Sequence, residues 1–71
     1  MTAQTAQVIY RGQHEQVNNV IQMLEDEIRL YESRLDMLQR MNLVEHQELL
    51  NTYRQMISVR ARVRDDLKKI R

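Results

Sequence analysis

The chain has 71 residues, one glycine, no proline, no cysteine and 30 % charged side chains, a composition that suits helices and excludes a disulfide-stapled scaffold. A chain this short buries too little apolar surface to be comfortably stable alone, so association is expected. The net charge of +1 conceals an asymmetry, because residues 1–53 carry four basic and eight acidic groups while residues 54–71 carry seven basic and two acidic; the two parts attract if laid side by side antiparallel.

Residues 1–12 differ from the rest. Thr, Ala and Gln precede Val8, Ile9 and Tyr10, and Gly12 follows. The segment reads as an arm with three outcomes: disorder or fraying, as is common at termini; an extension of the following helix capped by Thr2 or Thr5, with Gly12 tolerated at about 1 kcal/mol; or a short strand added to a partner's sheet edge. Residues 13–71 read as one helical assembly domain with a turn at 41–45.

From Gln13 to Arg40, Val17, Ile21, Leu24, Ile28, Tyr31, Leu35 and Leu38 alternate spacings of four and three, the seam of an amphipathic helix. Glu25 with Arg29 and Asp36 with Arg40 are acid-before-base pairs one turn apart. A second apolar stripe, Met23, Leu30, Met37 and Val44, recurs every seven residues on another face. A helix apolar on two faces is expected to be sandwiched, so this stripe is a candidate second interface.

The phase slips near Asn42 and resumes with Leu49, Tyr53, Met56, Arg60, Val63, Leu67 and Ile70, flanked by Leu43, Leu50 and Ile57. Two structures satisfy this. A single long helix in a coiled coil would absorb the slip as a stutter near residue 42; residues 13–71 would then span about 88 Å at 1.5 Å per residue. A chain that turns back at Asn42, with Leu43 packing on Leu38, would make an antiparallel two-helix hairpin that associates into a helical bundle. The hairpin is favoured, because folding at residue 42 pairs seam positions whose numbers sum to about 84. Tyr31 then meets Tyr53, Leu35 meets Leu49, and Glu25 and Glu27 lie beside Arg60 and Arg62.

Little in the sequence carries chemistry. His14 and His46 sit in no metal-binding or nucleophile motif, and Glu25, Asp26 and Glu27 point three ways round a helix rather than converging on a cation. No catalytic residue, cofactor or metal is expected. Arg60, Arg62, Arg64, Lys68, Lys69 and Arg71 form the one cluster suited to anions, yet no aromatic residue follows Tyr53 to stack on bases. The five methionines suit irregular contacts with a partner.

The expected function is a non-enzymatic helical assembly module acting through coiled-coil-like seams, its partners being a second copy of itself or a larger helical protein. The alternative is a small dimeric nucleic-acid-binding regulator that uses the basic C-terminal segment. An apolar run long enough to span a bilayer and a signal-peptide layout are both absent, which leads to the expectation of a cytoplasmic or otherwise intracellular location.

Overall fold

The computed structural model describes residues 7–41 and 44–70, the side chain of Val44 excepted. Strand β1 (Gln7–Tyr10) and strand β2 (Gln13–Gln16) lead into helix α1 (Val17–Met41); a short 3-10 turn (Val44–His46) then opens helix α2 (Gln47–Ile70). The two long helices pack against each other as an antiparallel hairpin. The molecule is 57 Å in its longest dimension, well short of the roughly 88 Å of an unbroken rod. Asn42, Leu43 and the cap candidates Thr2 and Thr5 lie outside the described residues.

Tyr31 and Tyr53 meet across the hairpin with ring centroids 5.8 Å apart at a tilted 38°, a geometry aromatic quadrupoles favour. Both helices carry basic side chains in their last turn, Arg40 in α1 and Lys68 with Lys69 in α2, where they complement the helix dipole. Asp26 accepts hydrogen bonds from Arg29 and Gln22, and Asp36 pairs with Arg40, so the outer face of α1 is laced along its length.

The first strands correct the expectations for the arm. Over residues 7–16 the chain neither frays nor extends the helix, and its strand pairs within the chain: β1 runs antiparallel to β2, with Tyr10 opposite Gln13 and Gln7 opposite Gln16. A two-residue loop joins them, and both its residues have positive φ, 53° at Arg11 and 80° at Gly12. That is the backbone of a type I′ turn, whose twist matches the strands. Gly12 adopts it freely, and it is this turn rather than a helix interior that uses the glycine. Helix α1 accordingly begins at Val17, where the polar β2 segment ends.

Most of the core lies on the open-end half of α1, with one member beside the turn between the helices. Val17, Val20, Ile21, Leu24 and Ile28 of α1 are buried, and on α2 only Leu50 reaches that class. Val8, Tyr10 and Glu15 of the β-hairpin are half-buried while Ile9 between them is exposed, the period-two alternation of a ribbon with one face on the helices. Toward the turn between the helices, Leu35 and Leu38 are only half-buried.

Candidate interaction site

Glu27 is the point where three elements meet. Its Oε1 accepts hydrogen bonds from the Tyr10 hydroxyl at 3.2 Å and from Arg11 Nη2 at 3.0 Å, and its Oε2 accepts one from Arg60 Nε at 2.8 Å. The Arg60 guanidinium also donates to the Met56 carbonyl and lies 4.9 Å from the centre of the Tyr31 ring, a cation–π distance. Arg11 covers the Tyr10 ring at 5.0 Å. One carboxylate thus ties the β-turn, α1 and α2 together, with the Glu27 and Arg60 side chains 19 % and 23 % exposed.

The charges follow from this geometry. Burial alone would raise the Glu27 pKa, but hydrogen bonds from Arg60 and Tyr10 and the nearby Arg11 and Arg60 charges outweigh it, and the net direction is down. Tyr10 moves up, through burial first and then through the Glu27 charge and its hydrogen bond. Arg60 is pushed further up by its hydrogen bond to Glu27, against its own desolvation. The cluster is a closed set of satisfied partners, which binds the fold together rather than offering a reactive group.

The predicted interface residues divide between the inside and the outside. On α1, Val17, Ile21, Leu24 and Ile28 are buried, and Tyr31, Leu35 and Leu38 half-buried against α2. On α2 the inward face consists of Leu50, Tyr53, Ile57, Arg60, Arg64 and Leu67, with Met56 at its edge, whereas Leu49, Val63 and Ile70 are exposed. The α2 contact face is therefore turned from the one read in the sequence, toward Leu50 and Ile57. Of the second stripe, Leu30 and Met37 are exposed at 47 % and 58 %, Met23 is half-buried, and the Val44 side chain lies outside the described residues.

These exposed side chains share one side of the hairpin. At 100° per residue, Leu30 and Met37 stand about 130° round α1 from its inward face, and Leu49, Met56 and Val63 about 70° round α2 in the same rotational sense. Because both helices are right-handed and run antiparallel, equal senses of displacement place the two stripes on the same side. Glu27 is displaced the same way, so the β-hairpin that reaches it covers this side at the open end. The half nearer the turn stays uncovered, and there Leu30, Met37, Met41 and Leu49 are all exposed. Arg34 interrupts the stripe, although its stem is itself apolar.

The basic residues of α2 are largely engaged. Arg60 pairs with Glu27, Arg64 with Asp65 at 3.1 Å and Lys69 with Asp66 at 3.7 Å. Arg62 and Lys68 are exposed, and Arg71 lies outside the described residues. His14 is exposed on β2, and His46, half-buried in the 3-10 turn, has a buried Nδ1 with no hydrogen-bond partner among the described residues. No three His, Asp or Glu side chains converge on a metal position among the described residues, and no described helix is long and apolar enough to cross a membrane. The chain matches no protein-family model, no curated protein and no solved structure in comparisons with known proteins.

Proposed function

We propose that this chain is a non-enzymatic protein–protein assembly module, a helical hairpin that completes a bundle with another helical surface through coiled-coil-like contacts. The supporting observation is the uncovered apolar side of the turn-proximal half of the hairpin, where Leu30, Met37 and Met41 of α1 and Leu49 of α2 are exposed, Leu30 and Met37 standing seven residues apart, as do Leu49 and the half-buried Met56. Seven-residue spacing on two adjacent helices is the pattern that further helices pack against. Methionine at two of the three α1 positions suits a contact that must fit an irregular partner. A protein partner is favoured over a phosphate backbone because Arg60, Arg64 and Lys69 already face carboxylates of the same chain.

Paired charges on the face test this reading. Leu30→Glu with Met37→Glu removes apolar surface at positions that are exposed in the chain alone, so helicity by circular dichroism is expected to persist. What should fall is the particle mass by sedimentation, or, in a wild type that is monomeric, the binding of an apolar dye such as anilinonaphthalene sulfonate. Equal mass and equal dye binding in wild type and variant would mean the face is simply solvated, and the proposal would fail.

A further inference from the structure

We propose that the β-ribbon is an autoinhibitory cover on the apolar side of the hairpin, one that opens as a unit while α1 and α2 stay packed and so lengthens that side toward the open end. Its effect on assembly rests on the reading above; the opening itself does not.

The cover shows in matched positions of α1. Met23, Leu30 and Met37 stand seven residues apart and face nearly the same way, yet Leu30 is 47 % and Met37 58 % exposed while Met23 is half-buried. Val20 and Leu38 lie about five turns apart and hence at the same angle round the helix; Val20 is 1 % exposed and Leu38 only half-buried. The difference between the ends is the ribbon, which packs against α1 and reaches Glu27, one turn beyond Met23, through Tyr10 and Arg11. Lifting it away exposes Val20 and Met23 on the side that already bears Leu30 and Met37.

The ribbon's hold on the helices is narrow. Isolated two-stranded ribbons are marginal in water, and in this one Val8, Tyr10 and Glu15 are half-buried while Ile9 is 70 % exposed. Among the described residues, the side-chain hydrogen bonds that tie it to the helices both end on Glu27 Oε1. Arg11 is 66 % exposed and stacks on the Tyr10 ring at 5.0 Å, so the two anchors leave together. The other carboxylate oxygen belongs to the helices: Oε2 accepts from Arg60 Nε, and the same guanidinium is held by the Met56 carbonyl and the Tyr31 ring. The two oxygens of one carboxylate thus serve two separable bodies, and opening leaves the contact between α1 and α2 paired. Strand β2 passes into α1 directly, which puts the hinge at Gln16 and Val17. A unit with few apolar contacts and its own boundary is the kind that opens below the free energy of global unfolding.

Native-state hydrogen exchange in low urea reads the opening in the wild type. The amides of Gln7–Tyr10 and Gln13–Gln16 are expected to exchange with a smaller urea dependence than those of Leu24 and Ile28; a shared dependence would mean that ribbon and helices unfold together, and the proposal fails. Tyr10→Phe with Arg11→Asn removes both anchors, leaves Glu27 with Arg60, and keeps a residue that accepts the positive φ of the turn. The chain contains no cysteine, so a Val20→Cys thiol reports uncovering directly. The anchor variant is expected to raise its labelling rate roughly tenfold, with helicity and the exchange of Leu50 unchanged; an unchanged rate overturns the cover. It is also expected to bind more anilinonaphthalene sulfonate, or to sediment at higher mass, than the wild type. Faster labelling with dye binding and mass both unchanged overturns the autoinhibitory role. Exchange and labelling do not involve Leu30 or Met37, so failure of the assembly reading in Leu30→Glu with Met37→Glu is told apart from failure of the ribbon to open.

Discussion

The two ends of the hairpin are built from the same kind of helix, yet only one of them carries a third layer among the described residues. At the open end the β-ribbon supplies a third layer, and Val17, Val20, Ile21, Leu24 and Ile28 are buried beneath it and α2. At the turn end no third layer exists among the described residues, and although Leu50 of α2 is buried there, Leu35 and Leu38 on the α1 seam are half-buried. The contrast teaches that two helices alone cannot bury an amphipathic face more than about 100° wide. Either a local element or a partner has to cover the remainder.

The comparison can be broken most severely at its buried side. Leu24→Ala should cost about 2–4 kcal/mol in urea denaturation, much of the roughly 4–10 kcal/mol available to a chain of this length, while Leu38→Ala at the half-finished end should cost clearly less. Equal losses at the two positions would mean the ends are equally packed. Glu27→Gln comes next: it leaves the largely covered Arg60 without its counter-charge and removes the partner of the exposed Arg11, at about 1–3 kcal/mol. The same substitution should raise amide exchange in β1 and β2 more than in the turn-proximal half of α1.

Titration sharpens the picture in both directions. The Glu27 pKa is lower in the fold than in the unfolded chain, so its contribution is present above the ordinary carboxyl range and is lost as pH falls through the lowered value. Tyr10 is shifted upward; its contribution is present below the ordinary tyrosine range and is lost as pH rises through the raised value. Unfolding midpoints measured across pH should fall at both extremes in the wild type, and the acid limb should be shallower in Glu27→Gln. The smallest effect is expected at the β-turn. A Cβ on Gly12 would meet no atom within 4 Å, so Gly12→Ala should cost only the backbone penalty of positive φ, about 1 kcal/mol.

The helical hairpin was legible in the sequence because its evidence is redundant. The phase slip near Asn42, the pairing of Tyr31 with Tyr53 and the placement of Glu27 beside Arg60 all follow from one fold-back point, and the last two are contacts of the structure. The β-ribbon was harder to read. Its second strand, Gln13–Gln16, has no apolar residue to mark alternation, and the strongest signal was the Arg11-Gly12 pair after a β-branched run, a two-residue loop with glycine at its second position. The rotation of α2 was hidden for a different reason. Leu49 and Leu50, or Met56 and Ile57, are neighbours in sequence that bound a broad apolar arc, and periodicity alone does not choose which edge of such an arc turns inward. The knot at Glu27 was half visible, since its Arg60 arm follows from the hairpin while its Tyr10 and Arg11 arms required the ribbon.

The far reach of Glu27 also bears on how the chain finds its fold. The Glu27–Arg60 bond closes a loop of 33 residues, about half again as long as the segment from Tyr31 to Tyr53. Loop-closure entropy grows only with the logarithm of length, so the longer closure costs about 0.4 kcal/mol more, while it leads into the side chains that bury most completely. Zipping from the turn therefore holds little kinetic advantage. The route to the native state can begin at the end most distant from the connection, with the turn-proximal segments ordering after the strong contacts have formed.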